Sequence, residues 1–341
     1  MALVPKDKQH ELQIEAGVEG RLKGHRFEEV LTDQLNKIEV CNVDTLVTLK
    51  NPNIYVGNPA AALVEYISND KNKTITRVKS YWLGGLATAG QGAELKNDAG
   101  EVITGSKSDI VMDVNYSDGS SETLGVSVKS CKNNAQVALT TSAAFCDMLR
   151  KNGIDVSEDA EIGLKMFCGE SGYSPADEYV PDDNSNIPSP RNARPERWFW
   201  EEIPTRAQQE WEQIFTVYQD KITTLILQKA NAYKTDIYPP TYILHECNEH
   251  KDINKCCVCV VSMKEMAEYS RLFDGFGLKG KPISKGSYKG IDLAIHMYPH
   301  VGFLQFQPIG NKQNFSELQF NLKSNYYKTF IELKKKGNES S

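Results

Sequence analysis

The stretch SKSDIVMDVNYSDGSSETLGVSVKSCK, from Ser106 to Lys132, holds three residues whose types and spacing suit chemistry: Asp109, Ser127 and Lys129. Alternation sends Ile110, Met112 and Val114 to one face and Asp109, Val111 and Asp113 to the other. On the return run Val126 and Val128 share a face, while Ser127 and Lys129 share the opposite one. The intervening SDGSS is turn chemistry, which predicts a β-hairpin. A carboxylate at one strand end and a lysine on its partner suit metal-assisted phosphodiester hydrolysis. The carboxylate binds Mg2+ through oxygen. The metal polarises the phosphate and acidifies a bound water. The lysine steadies the attacking hydroxide or the charge growing on phosphorus, and the Val128 carbonyl can complete the metal's oxygen shell. An aspartate and a lysine on a hairpin also occur as plain edge charges, so the surrounding elements must carry part of the argument.

Those elements read as follows. An amphipathic helix is predicted from about Gly20 to Ile38, with Phe27, Val30, Leu31, Leu35 and Ile38 along one stripe. NIYVGNPAAALVEYI ends in a short helix, and the glycine-rich stretch LGGLATAGQGAELKNDAGEVITGSKS before the hairpin reads as loop. After the hairpin a helix is expected from about Asn134 to Asn152, and EIGLKMFCG as a buried strand. Glu170 to Arg194 reads as a long surface loop. RAQQEWEQIFTVYQDKITTLILQKA reads as one long amphipathic helix, and the chain beyond Thr241 as strands and glycine-bearing turns. Helices mixed with strands make this an α/β or mixed α+β protein.

At 341 residues, with 40% hydrophobic and 25% charged residues, the composition is that of a globular protein with a substantial core. No apolar run approaches bilayer-spanning length, the N-terminus is charged too early for a secretory signal, and a cytoplasmic address is the expectation. The eight cysteines are then expected as reduced thiols. Cys247, His250, Cys256 and Cys259 have a C-x2-H…C-x2-C layout that could hold zinc. The run Cys256 to Val261 also reads as an apolar strand, which would point Cys256 and Cys259 to opposite faces. Structural zinc is therefore not expected. No P-loop and no G-x-S-x-G elbow occurs. His245 and His250 are five apart and miss the HExxH spacing.

SDIVMDV…GVSVKS resembles the PD-(D/E)xK nuclease signature, especially its divergent forms in type II restriction endonucleases. The resemblance implies a restriction-endonuclease-like core, a central mixed β-sheet flanked by helices, with a β-rich C-terminal part. It implies Asp109 as the metal-binding aspartate and Lys129 as the catalytic lysine. Ser127 stands where the family usually has Glu or Asp, and Ser108 where it usually has proline. KGHRFEEVL is similar to the family's leading helix, which often lends a glutamate to the metal site. Glu28 is the matching residue, with Glu29 in reserve. Gln136 loosely fits a polar position at the start of the following helix, near Lys132, Asn133 and Asn134. Residues 1–170 would form the nuclease core. Residues 171–341 would supply the long loop, a helix and a β-rich DNA-recognition part packed on the same core.

Substrate reading has its own candidates. In FLQFQ, Gln305 and Gln307 alternate with Leu304 and Phe306. In LQFNLKS, Gln319, Asn321 and Lys323 alternate with Leu318, Phe320 and Leu322. Asn and Gln can pair with adenine edges and Lys with guanine, although such amides also commonly just face water. PIGNKQN, with Lys312, Gln313 and Asn314, and SKGSYKG, with Lys285 and Lys289, suit phosphate contacts. The net charge of −6 is uneven: Asn152 to Asp220 carries 15 acidic and 5 basic residues, and Arg271 to Gly337 carries 11 basic and 4 acidic. The expected partners are double-stranded DNA and a second copy of the chain, with no membrane. The expected cofactor is Mg2+, with Mn2+ as a substitute. A structure-specific or RNA nuclease of the same superfamily, and a non-catalytic DNA-binding protein with a decayed site, remain alternatives.

Overall fold

From its N-terminus the chain forms helix α1 (Lys8–Lys37), the short α2 (Val43–Leu46), strands β1 (Val47–Asn51) and β2 (Ile54–Gly57), and helix α3 (Pro59–Lys71). Strands β3 (Ile75–Trp82), β4 (Ile110–Tyr116), β5 (Ser121–Ser130) and β6 (Gln136–Thr141) follow. Next come helices α4 (Ser142–Lys151), α5 (Glu158–Cys168), α6 (Thr205–Val217) and α7 (Gln219–Leu227). Strands β7 (Pro240–Asn248) and β8 (Cys256–Ser262), helix α8 (Met263–Ser270), and strands β9 (Phe276–Pro282), β10 (Ile295–Val301), β11 (Leu304–Pro308) and β12 (Glu317–Leu322) complete the order. The structure is a computed structural model that describes residues 8–83, 96, 99–101, 106–130, 136–174, 197–228, 238–248, 250–282, 295–308, 317–322 and 328–332. Most of the glycine-rich stretch before the hairpin and residues 175–194 of the expected surface loop lie outside these.

Two compact units form from interleaved stretches of chain. Among the described residues one takes those up to 130, 227–266 and 328–332, and the other takes 136–226 and 267–322. The first unit holds a seven-stranded sheet in the order β1-β2-β8-β7-β5-β4-β3. Every neighbouring pair is antiparallel except β5 and β7, which run parallel. Leu31 and Leu35 of α1 and the run Ala60–Val64 of α3 join Ile110, Met112, Val114, Val126 and Val128 in one buried cluster on one face of this sheet. Each fully buried Leu, Ile, Val or Met of this cluster contributes roughly 1.5–3 kcal/mol. Leu83 and Val111, packed with Tyr81 and Tyr238, lie on the other face. Helix α3 starts where Asn58 accepts from the Ala60 and Ala61 amides (2.9 and 3.1 Å) with Pro59 in its first turn, and ends at Asn72 in a left-handed conformation.

The second unit is built on a five-stranded antiparallel sheet, β6-β12-β11-β10-β9. Its core is aromatic: Phe145, Trp211, Phe215, Phe306 and Phe320 pack at ring separations between 4.8 and 5.9 Å. The fold is therefore mixed α+β, a large mixed sheet flanked by helices together with a second β-rich sheet. Three local expectations are corrected. Residues 136–141 form strand β6 rather than the start of a helix, and Thr141 caps α4 by accepting from the Ala144 amide (3.2 Å). EIGLKMFCG is helix α5 rather than a strand. The long helix after Thr205 is broken at Tyr218 into α6 and α7. Among the described residues no helix is long and apolar enough to cross a membrane.

Candidate active site

The expected hairpin is present, and its turn shows why. Gly119 takes a positive φ of 83°, and Asp118 accepts from the Ser120 amide at 2.9 Å, a local turn that closes β4 onto β5. The register pairs Ile110 with Val126, and the Asp109 amide donates to the Val126 carbonyl (2.9 Å). On the other side the Asp109 carbonyl accepts from the Leu83 amide (2.9 Å), so this backbone is held between two strands. Ser108 secures the approach by donating its hydroxyl to the Tyr238 carbonyl (2.7 Å). Gly125 allows this crossing, because a Cβ there would lie 2.6 Å from the carbonyl oxygens of Tyr238 and Pro239.

Asp109 Oδ2 then becomes a point of convergence. It accepts from the Val128 amide at 2.6 Å and from the Ser127 hydroxyl at 3.1 Å, and Lys129 Nζ lies 3.6 Å away. Past Val126 the β5 edge facing β4 has outrun that strand's first residue, and the aspartate carboxylate takes up the amide of Val128. In an extended strand a residue's N–H and C=O point to the same side, which directs the Val128 carbonyl to this side as well. The side chains of Asp109 and Lys129 are 22% and 15% exposed, enough for access at a largely desolvated ion pair. Asp113, on the same face, is engaged by Tyr81 (3.3 Å) and Thr123 (2.7 Å).

Glu28 approaches from the opposite face of the sheet. It is 7% exposed and its carboxylate accepts from the Trp82 indole N–H at 3.1 Å. Trp82 is the register partner of Ile110, whose face packs against α1. Glu29 is exposed on the same helix. The structure thus brings Asp109, Ser127, Val128 and Lys129 together, with Glu28 near the same strand ends on the other side. Gln136 opens β6 in the other unit, where its backbone pairs with Asn321.

His245, set aside in the sequence for its spacing from His250, stands beside Lys129. It is 3% exposed and is the parallel register partner of Lys129 on β7, which sets both side chains on one face. HECNEH draws attention for its histidine spacing, but no local signal announces a parallel pairing across more than a hundred residues. The four zinc candidates are not drawn together: Cys256 is buried in the cluster under α1, whereas Cys259 packs with Ile54 and Ile331. No group of three or more His, Cys, Asp or Glu positioned for a metal occurs among the described residues. One carboxylate and one backbone carbonyl nevertheless fit Mg2+, which retains waters and takes substrate phosphate oxygens as ligands.

In the second unit β11 and β12 pair Gln305 with Asn321 and Gln307 with Gln319, so the four predicted amides share one face. Gln305 donates to Gln307 and Gln319 donates to Asn321, each at 2.9 Å. Gln305 and Asn321 are buried, while Gln307 and Gln319 are half-buried. Lys132, Asn133, Lys285, Lys289, Lys312, Gln313, Asn314 and Lys323 lie outside the described residues.

No family model matches the chain, and no curated protein matches it. Among solved structures it is similar to the restriction endonuclease MspI in complex with its cognate DNA. That similarity has 13% sequence identity and a TM-score of 0.41, over 76% of this chain and 75% of the other.

Proposed function

We propose that this protein is a Mg2+-dependent endonuclease of double-stranded DNA, of the type II restriction kind. The observation that carries the reading is the convergence of the Val128 amide, the Ser127 hydroxyl and the Lys129 ammonium on one oxygen of Asp109. Asp109 would hold Mg2+ by its carboxylate and Val128 by its carbonyl, with Glu28 of the leading helix as a candidate further carboxylate. The bound ion would supply Lewis acidity to the phosphate and acidify a water. Lys129, fixed by its ion pair, would orient the attacking water in line and neutralise the charge that grows on the phosphate as phosphorus becomes pentacoordinate. The Val128 and Ser127 donors hold the aspartate in one rotamer, which keeps its other oxygen directed and limits reorganisation. A palindromic target would suit a two-fold homodimer with one site for each strand.

The test is incubation with Mg2+ and matched duplex DNA, single-stranded DNA and RNA. The reading expects discrete fragments from duplex DNA alone, none in EDTA, and recovery with Mn2+. Absence of cutting on every substrate with either metal contradicts it. One observation favours a non-catalytic DNA-binding protein: Ser127 occupies the position of the family's second carboxylate and spends its hydroxyl on Asp109. That alternative predicts duplex binding without fragments.

A further inference from the structure

A cavity of about 450 Å3 opens in the first unit, on the α1 face of its sheet, near the ends of β5 and β7. Its place follows from the register: Glu246 is the partner of Ser130, one residue beyond the His245–Lys129 pair, with its side chain on the opposite face. Three features of the lining differ in chemistry. Lys23, Arg26 and Lys251 are exposed and cationic. Phe27 and Ile253, half-buried, supply apolar wall. Glu246, only 7% exposed, supplies a carboxylate, and the Cys256 thiol beside it points its donor there at 3.9 Å. Burial, with the Glu246 charge nearby, pushes that thiol up to about 11, which keeps it a neutral donor.

Each feature constrains the occupant. A cationic rim selects an anionic group and repels a simple amine. An aromatic and aliphatic wall selects a flat apolar body. The Glu246 carboxylate presents hydrogen-bond acceptors, and it already accepts from the Cys256 thiol, so the buried end of the ligand brings N–H donors, as an exocyclic amino group on a base does. The volume lies within the range of small-molecule sites. We propose that this cavity binds a nucleotide unit, its phosphate at Lys23, Arg26 and Lys251 and an amino-bearing base against Phe27 with its amino group on Glu246. The occupant is a free nucleotide or one nucleotide of a nucleic-acid strand. The proposal does not depend on the nuclease reading, because Asp109 and Lys129 stand on the other face of the sheet and Glu28, on this face, is not among the residues that line the cavity.

The experiment is calorimetric titration of the intact protein in EDTA with dCMP, dGMP, TMP and deoxyribose 5-phosphate. The expected result is saturable binding of dCMP or dGMP, with TMP weaker because its imide N–H is flanked by carbonyls that repel a carboxylate. The double variant R26A/K251A should weaken that binding by about tenfold or more. Glu246→Gln should reduce the preference over TMP to within about twofold. Thermal unfolding checks that Glu246→Gln is folded, and the double variant alters only exposed side chains. Displacement of bound dCMP by a short single-stranded deoxyoligonucleotide assigns the occupant to a strand, and lack of displacement assigns it to free nucleotide. The proposal is overturned if no mononucleotide binds, if deoxyribose 5-phosphate binds as tightly as dCMP, or if R26A/K251A leaves affinity unchanged. Lys129→Ala should retain the nucleotide binding, which separates a failure here from a failure of the cleavage claim.

Discussion

Ser127 is the residue whose chemistry most shapes the site. Its hydroxyl and the Val128 amide both donate to Asp109, and Lys129 balances its charge. Ser127→Ala should cost about 1 kcal/mol, the usual value of a hydrogen bond to be lost. Ser127→Asp should do more, because two carboxylates would then face each other across the hairpin. The expected loss in EDTA is about 2 kcal/mol or more, with part recovered on adding Mg2+. Thermal unfolding with and without the metal reads both, and a Ser127→Asp variant whose midpoint ignores Mg2+ contradicts this picture. A separate prediction concerns Cys257 on β8. A hydrogen bond from Cys247 lowers the Cys257 thiol below the ordinary range, and the Cys247 thiol is raised first by that same bond and then by burial. The thiolate fraction of Cys257, and hence its alkylation rate, should rise at lower pH than for an unperturbed thiol near about 8.5. Cys247→Ala should move that profile upward. Peptide mapping after iodoacetamide labelling across pH measures it, and equal profiles in the two proteins would rule the coupling out.

Among the elements, the β4–β5 hairpin was the most legible in the sequence, since its alternation and its Asp118-Gly119 turn act locally. Its precise seating depends on something less visible, the passage of Tyr238 and Pro239 over Gly125. Gly125→Ala should therefore destabilise the fold by about 1–3 kcal/mol through overpacking against backbone that cannot yield. Denaturant unfolding checks this, and an unchanged midpoint contradicts the crossing. Helix α5 shows a misleading pattern. Ile162, Leu164 and Met166 alternate like a strand, yet Ser157 caps the start, Gly169 ends it in a left-handed turn, and Ala160, Gly163, Leu164 and Phe167 are buried at helical spacing. The stop signals were in the sequence and outrank the alternation. The division between α6 and α7 had no such signal. Gln219 donates to the Ser270 hydroxyl (3.1 Å) and the Phe273 carbonyl (3.2 Å), and Gly275 packs close to Thr216. Contacts from fifty residues away set that break, and amphipathic periodicity runs through it undisturbed.

For the whole molecule, the pairing of β5 with β7 decides what the site contains. It unites residues near 129 with residues near 245, and so sets His245 beside Lys129 and Glu246 at the neighbouring cavity. Asp109, Ser127 and Lys129 were legible because two local strands define them; His245 and the cavity were not, because a long-range parallel register defines them. The uneven charge of the chain bears on its proposed partner. If DNA is bound through its phosphates, affinity should fall by about tenfold or more between 50 and 200 mM salt. Fluorescence anisotropy with a labelled duplex reads this, and salt-independent binding argues against a phosphate interface. The most direct test of the account compares wild type with Lys129→Ala on supercoiled plasmid in Mg2+, at protein concentrations matched for duplex binding. Discrete cleavage by the wild type and a loss of about 10^2-fold or more in the variant, with duplex affinity retained, are expected. Cleavage by Lys129→Ala at the wild-type rate would contradict it.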